Sequence, residues 1–230
     1  MFGLVLGALS AVGSFLASVV TVAKPIVAAA TALVAKLPEV LVTAKMVVDT
    51  IASVVSTVAE ILGIAPKGEN PEELGAKAMQ EGTRKQLEGE SSQEYLDYLR
   101  RDVTLDEAKF KAMSTEEKIA CSSLGTAMVS KSIEEKVGID LSPDFLLTIP
   151  KAKLSALQVA KLINAFASNG IPSMDDFTGY IKNDLSEDRV PKIGNIVRNS
   201  LKELNPSLSD AEIQHEIIDM KSSYNNEKTY

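Results

Sequence analysis

Residues 2 to 23, FGLVLGALSAVGSFLASVVTVA, contain no charged side chain, and this run constrains the fold more than any other feature of the chain. As a helix rising 1.5 Å per residue it would be about 33 Å long, enough to cross a bilayer. Charge stays scarce up to residue 65, where only Lys24, Lys36, Glu39, Lys45, Asp49 and Glu60 occur, and these cancel. The whole net charge of -7 therefore lies beyond residue 65. A nearly uncharged head precedes an acidic body, so the overall hydrophobic content of 45% averages two unlike regions.

Insertion of the first run would be modest, because Gly, Ser and Thr dilute its bulky residues. It is also a poor secretory signal, since no basic segment precedes it and Thr21-Val22-Ala23 is followed by Lys24-Pro25. Its order is more informative. At about 100° per residue, Gly3, Gly7, Ser10, Gly13, Ser14 and Ser18 fall on one side of a helix and most of the Leu, Val and Phe residues on the other. Such a ridge lets a second helix backbone approach closely, which makes these six residues a candidate helix–helix interface.

The phase continues into residues 39 to 63. There Asp49, Ser53, Ser56 and Glu60 form a polar stripe opposite Val47, Val48, Ile51, Val55 and Val58. An unpaired acid at the centre of a lipid-facing helix costs about 2.5 to 3.5 kcal/mol, so the stripe should face a partner helix, a water-filled lumen or solvent. Pro25 and Pro38 each suit the first turn of a new helix, and Gly63 with Pro66 ends the head. The expectation for 1–65 is a helical hairpin or a set of long kinked helices spanning 2–23, 26–36 and 39–63, either membrane-associating or assembly-forming.

Pro66-Lys67-Gly68-Glu69-Asn70-Pro71 reads as a linker. Beyond it the sequence predicts a charged helical connector over 72–113, an acidic helical domain over 114–222 and a flexible tail over 223–230. Capping-box patterns begin at Ser91, Thr104, Ser114, Ser173 and Ser209, and no run alternates strongly enough for a strand, so the fold class is all-α. The expected helices are 72–88, 91–101, 104–112, 115–137, 143–148, 152–168, 174–185, 190–203 and 209–221. Core candidates include Phe145, Leu154, Leu162, Ile163, Phe166, Phe177, Tyr180 and Ile181.

Catalysis and cofactors find no foothold in the sequence. There is no serine elbow, P-loop, GxGxxG or HExxH, and the single His215 and single Cys121 offer no zinc spacing. Cys121, within IACSSLGTAM, reads as a small core residue and His215 as an exposed one. The acidic balance disfavours nucleic acid, and no small-molecule substrate is evident. The expectation is a non-enzymatic, cofactor-free protein, either membrane-associated or related to a pore or translocation apparatus. It would form a homo-oligomer or multi-protein complex through its N-terminal region and dock a partner through the body, as in a secretion, injection, phage or toxin machine. The alternative is a soluble structural subunit, cytoplasmic in a large complex, whose head packs against protein.

Overall fold

The computed structural model describes residues 3–19, 21–81, 84–87 and 89–226, with the backbone alone described over 3–9. Among these residues it is all-helical, with twelve helices and one isolated bridge between Asp140 and Ser173. The chain divides into two compact units, 1–135 and 136–230. The 66–71 segment, where composition changes most sharply, lies within the first unit, and the division falls in the last turn of a long helix.

The first unit contains α1 (Gly3–Ala17), α2 (Lys24–Val34), α3 (Leu41–Ile61), α4 (Pro71–Gln80), α5 (Ser92–Asp102), α6 (Glu107–Ala112) and most of α7 (Thr115–Val137). Pro25 sits in the first turn of α2 as its ring geometry favours. The helix α3 ends in a Schellman motif, in which Gly63 (φ 65) lets Ile64 N–H donate to Ala59 O and its own N–H to Glu60 O. Apolar residues at helical spacing point inward from all three head helices: Val12 and Leu16; Ile26, Ala30 and Leu33; Ala44, Val48, Ile51, Val55 and Val58. The helix α1 packs on α2 and on α3, and α3 packs on α4.

Two glycines set the closest approach in this unit. A Cβ on Gly75 of α4 would lie 1.9 Å from Cys121 O of α7, and one on Gly125 of α7 would lie 1.7 Å from Pro71 O. As α4 advances one turn from Pro71 to Gly75, its contact on α7 retreats one turn from Gly125 to Cys121, so the two helices run antiparallel with backbone against backbone.

The second unit contains α8 (Pro143–Lys151), α9 (Ala156–Ser168), α10 (Asp175–Lys182), α11 (Val190–Leu204) and α12 (Asp210–Asn226). Phe177 packs edge-to-face on both Phe145 and Phe166, with centroids 6.2 Å apart in each pair. The helix α9 lies on α11, and α10 touches α8, α11 and α12.

Side-chain caps mark several of these helix starts, although α2, α3, α10 and α11 begin without one, and the box expected at Ser173 does not form because Asp176 pairs with Arg189 instead. Ser91 with Glu94, Ser114 with Glu117 and Ser209 with Glu212 form reciprocal bonds, as their sequence pattern predicts. At Thr104 the expectation is corrected: α6 starts at Glu107 because Asp106 is its N-cap, accepting from Lys109 N–H. Ser155 with Gln158 adds a capping box that starts α9 four residues later than expected. The helix α4 stops at Gln80 rather than 88, and Arg84, ion-paired with Glu90, lies outside it. The helix α12 runs on to Asn226, so residues 223–226 are helical, with Asn225 Nδ2 donating to Lys221 O; residues 227–230 lie outside the described part.

Candidate association surface

Helical phase fixes which side chains of the head are covered and which are not. On α1, Val12 and Leu16 are buried while Ser10, Ser14 and Ala17, with Ser18 just beyond its end, are exposed and Gly13 is half-buried. The backbone of α1 takes in Gly3 and Gly7, whose surroundings lie outside the described residues. The outward residues of α2 are Ala28, Ala29 and Thr31, and those of α3 are Val42, Met46, Thr50, Ser53, Thr57 and Ile61. Charged side chains are few on this surface. Among the described residues of the head, Lys24, Lys36 and Glu39 are exposed beside helix ends, whereas Lys45, Asp49 and Glu60 are half-buried.

Five of the hydroxyls on these outward faces already have acceptors. Ser14 Oγ donates to Ser10 O at 3.0 Å and Ser18 Oγ to Phe15 O at 2.6 Å. Thr31 donates to Val27 O at 2.8 Å, Thr50 to Met46 O at 2.8 Å and Thr57 to Ser53 O at 2.9 Å. A hydroxyl bonded to its own helix can be covered by another surface without leaving a donor unsatisfied, which removes the main cost of burying it.

The second set of sequence candidates divides in two. Ser53 faces outward, but Asp49, Ser56 and Glu60 hold the following segment against α3. Lys45 Nζ bridges Asp49 at 2.5 Å and Glu72 of α4 at 2.8 Å, and Ser122 Oγ of α7 reaches Asp49 at 3.4 Å. Ser56 Oγ donates to Glu69 O at 2.5 Å, and Glu60 Oε1 accepts from Gly68 N–H at 2.6 Å. Gly68 adopts φ 77, a conformation that suits glycine and lets its amide face the carboxylate. Arg100 clamps the same turn, with Nε and Nη2 on Glu69 at 2.6 and 2.8 Å and Nη1 on Asp97 at 2.6 Å. The charged side chains of the apolar helix thus fasten the 66–72 turn.

Two further features bear on function. The helix α3, 21 residues, is the one described helix long and apolar enough to cross a membrane, but its exposed bulky residues, Val42, Met46 and Ile61, lie near its ends, with Thr50, Ser53 and Thr57 between them. The acid excess is also uneven: residues 66–135 hold 10 Lys+Arg against 15 Asp+Glu, whereas 136–230 hold 11 against 13. His215 is exposed, 3.6 Å from Asp219. Cys121 is buried, and that burial, aided by Glu72 and Glu117, pushes its thiol up to about 12.

Sequence phase places the small residues of α1 and the Asp49, Ser53, Ser56 and Glu60 stripe on one side of their helices, but the outward set on α2 and α3 also takes in Thr31, Thr50 and Thr57 and the apolar Val42, Met46 and Ile61. The i to i+4 spacing of Val42, Met46 and Thr50 and of Ser53 and Thr57 was the available signal. No family model matches the chain, and neither does any curated protein or solved structure.

Proposed function

We propose that this chain is a non-enzymatic structural subunit that assembles with copies of itself through the uncharged outward faces of α1, α2 and α3. The observation that carries this reading is the back-bonding of the outward hydroxyls at Ser14, Ser18, Thr31, Thr50 and Thr57, on uncharged faces that pair small residues with the exposed apolar side chains of Val42, Met46 and Ile61. Small side chains allow close helix approach, and satisfied hydroxyls can be desolvated at little cost. Lipid would gain less from the same faces, since most bulky residues, among them Leu16, Ile26, Leu33, Val48 and Val55, are turned into the protein and the exposed Val42, Met46 and Ile61 of α3 are separated by Thr50, Ser53 and Thr57. The acid-rich 66–135 region is the surface offered to a different partner, of basic character.

Membrane association is the second reading, favoured by the length of α3 and by the uncharged run from residue 2 to 23. Light scattering on the full-length chain, with and without Ser14→Arg and Thr57→Arg together, tests the first. Both residues are exposed, so the variant should keep its helical circular dichroism while falling from an oligomer to a monomer. A monomeric parent chain, or a variant of unchanged mass, would overturn self-assembly. Flotation of a monomeric chain with lipid vesicles would move the assignment to the membrane.

A further inference from the structure

Three sulfur atoms from distant parts of the sequence meet beneath the surface of the first unit. Cys121 Sγ of α7 lies 3.4 Å from Met79 Sδ of α4 and 3.8 Å from Met113 Sδ, just ahead of α7. Backbone packing brings them together: Gly75 rests on the Cys121 carbonyl, and Met79 is one helical turn further along the same face of α4. Cys121 is fully buried, while Met79 and Met113 are half-buried. Met113 also lines a surface cleft of about 330 Å³ with Gln80, Lys109, Ala112 and Glu117, which gives a small ion a way in.

We propose that Cys121, Met79 and Met113 form a binding site for a single copper(I) ion. Thiolate and thioether sulfur are the ligands that select this soft cation over the harder divalent metals. With metal–sulfur bonds of about 2.3 Å, the sulfurs of a trigonal site stand about 4 Å apart, and both distances from Cys121 Sγ, 3.4 and 3.8 Å, are already close to that; the flexible thioether chains of Met79 and Met113 supply the remaining adjustment. Charge points the same way. One thiolate and two neutral thioethers around a monovalent ion sum to zero, a composition that burial does not penalise, whereas zinc would leave a buried positive charge and want a fourth ligand. Glu72 and Glu117 lie near enough to the Cys121 sulfur to favour a cation there, with Lys45 opposing them more weakly. On binding, the Cys121 S–H bond breaks, its proton leaves to solvent and the electron pair forms the sulfur–copper bond; copper remains in the +1 state.

The test is an anaerobic titration of the full-length protein with copper(I) in competition with bicinchoninate, a coloured copper(I) chelator. One copper should be held per chain. Met79→Leu and Met113→Leu, which nearly conserve volume, should each weaken binding at least about tenfold, and Cys121→Ser should abolish it. X-ray absorption of the copper-loaded parent protein should show sulfur neighbours alone, a readout that does not depend on any variant folding. Failure of the parent chain to compete for copper would overturn the site. So would affinity indifferent to both methionine substitutions, or nitrogen and oxygen neighbours in the absorption spectrum.

Discussion

At Gly75 and Gly125 the missing Cβ is the structural feature. Both stand where another helix's backbone carbonyl occupies the space a methyl group would need. Gly75→Ala and Gly125→Ala should each cost about 3 kcal/mol, because α4 and α7 must separate along their whole crossing. Gly179→Ala makes the comparison: its new Cβ would meet the Leu185 Cδ2 methyl at 2.9 Å, the end of a side chain that can rotate, so the change should stay within about 1 kcal/mol. Urea denaturation of the three variants checks the contrast, and equal losses would sink it. None of this was legible in the sequence, where Gly75 and Gly125 look like two mild helix weakeners. The Cys121, Met79 and Met113 cluster was hidden for the same reason, since it depends on the crossing those glycines permit.

Among the elements, the helices beyond residue 71 were the most legible, because their starts are encoded locally. Ser91 and Glu94, or Ser209 and Glu212, settle a first turn whatever the rest of the chain does. Competition between neighbouring caps was not legible: Asp106 displaces Thr104 and shortens α6. The register of Asp49, Ser56 and Glu60 was visible as well, but register gives a face and not its neighbour. Their partners proved to be the 66–72 turn and the helices next to α3. Arg100 secures that turn, and Glu69, its bidentate partner, is only 7% exposed. Arg100→Ala should therefore destabilise the chain by about 2 to 3 kcal/mol through an uncompensated buried carboxylate. In a double-mutant cycle with Glu69→Gln, thermal melting should show the two losses to be strongly non-additive, and simple additivity would refute the clamp.

On the scale of the whole molecule, composition marks one boundary and packing another. Hydropathy breaks at residue 66, but α3 packs on α4 and makes charged contacts with α4 and α7, so residues 1–65 and 66–135 lie in one compact unit. The sequence could not show this, because a change of surface charge does not report which elements share a core. Deleting residues 1–65 should consequently abolish the melting transition of the 66–135 region while leaving that of 136–230 intact by scanning calorimetry. Two surviving transitions would show that the head is an appendage.

The back-bonded hydroxyls of α1, α2 and α3 have a consequence for alignment. In the proposed assembly, with Ser14, Ser18, Thr31, Thr50 and Thr57 committing their protons to their own helices, little directional bonding remains at these positions to tell one turn of a partner from the next, and the contact can slip by one helical pitch of about 5.4 Å. Any fixed alignment must then come from the margins, where Lys24, Lys36 and Glu39 stand beside the helix ends. Reversing those few charges should change how copies line up while leaving their ability to adhere untouched.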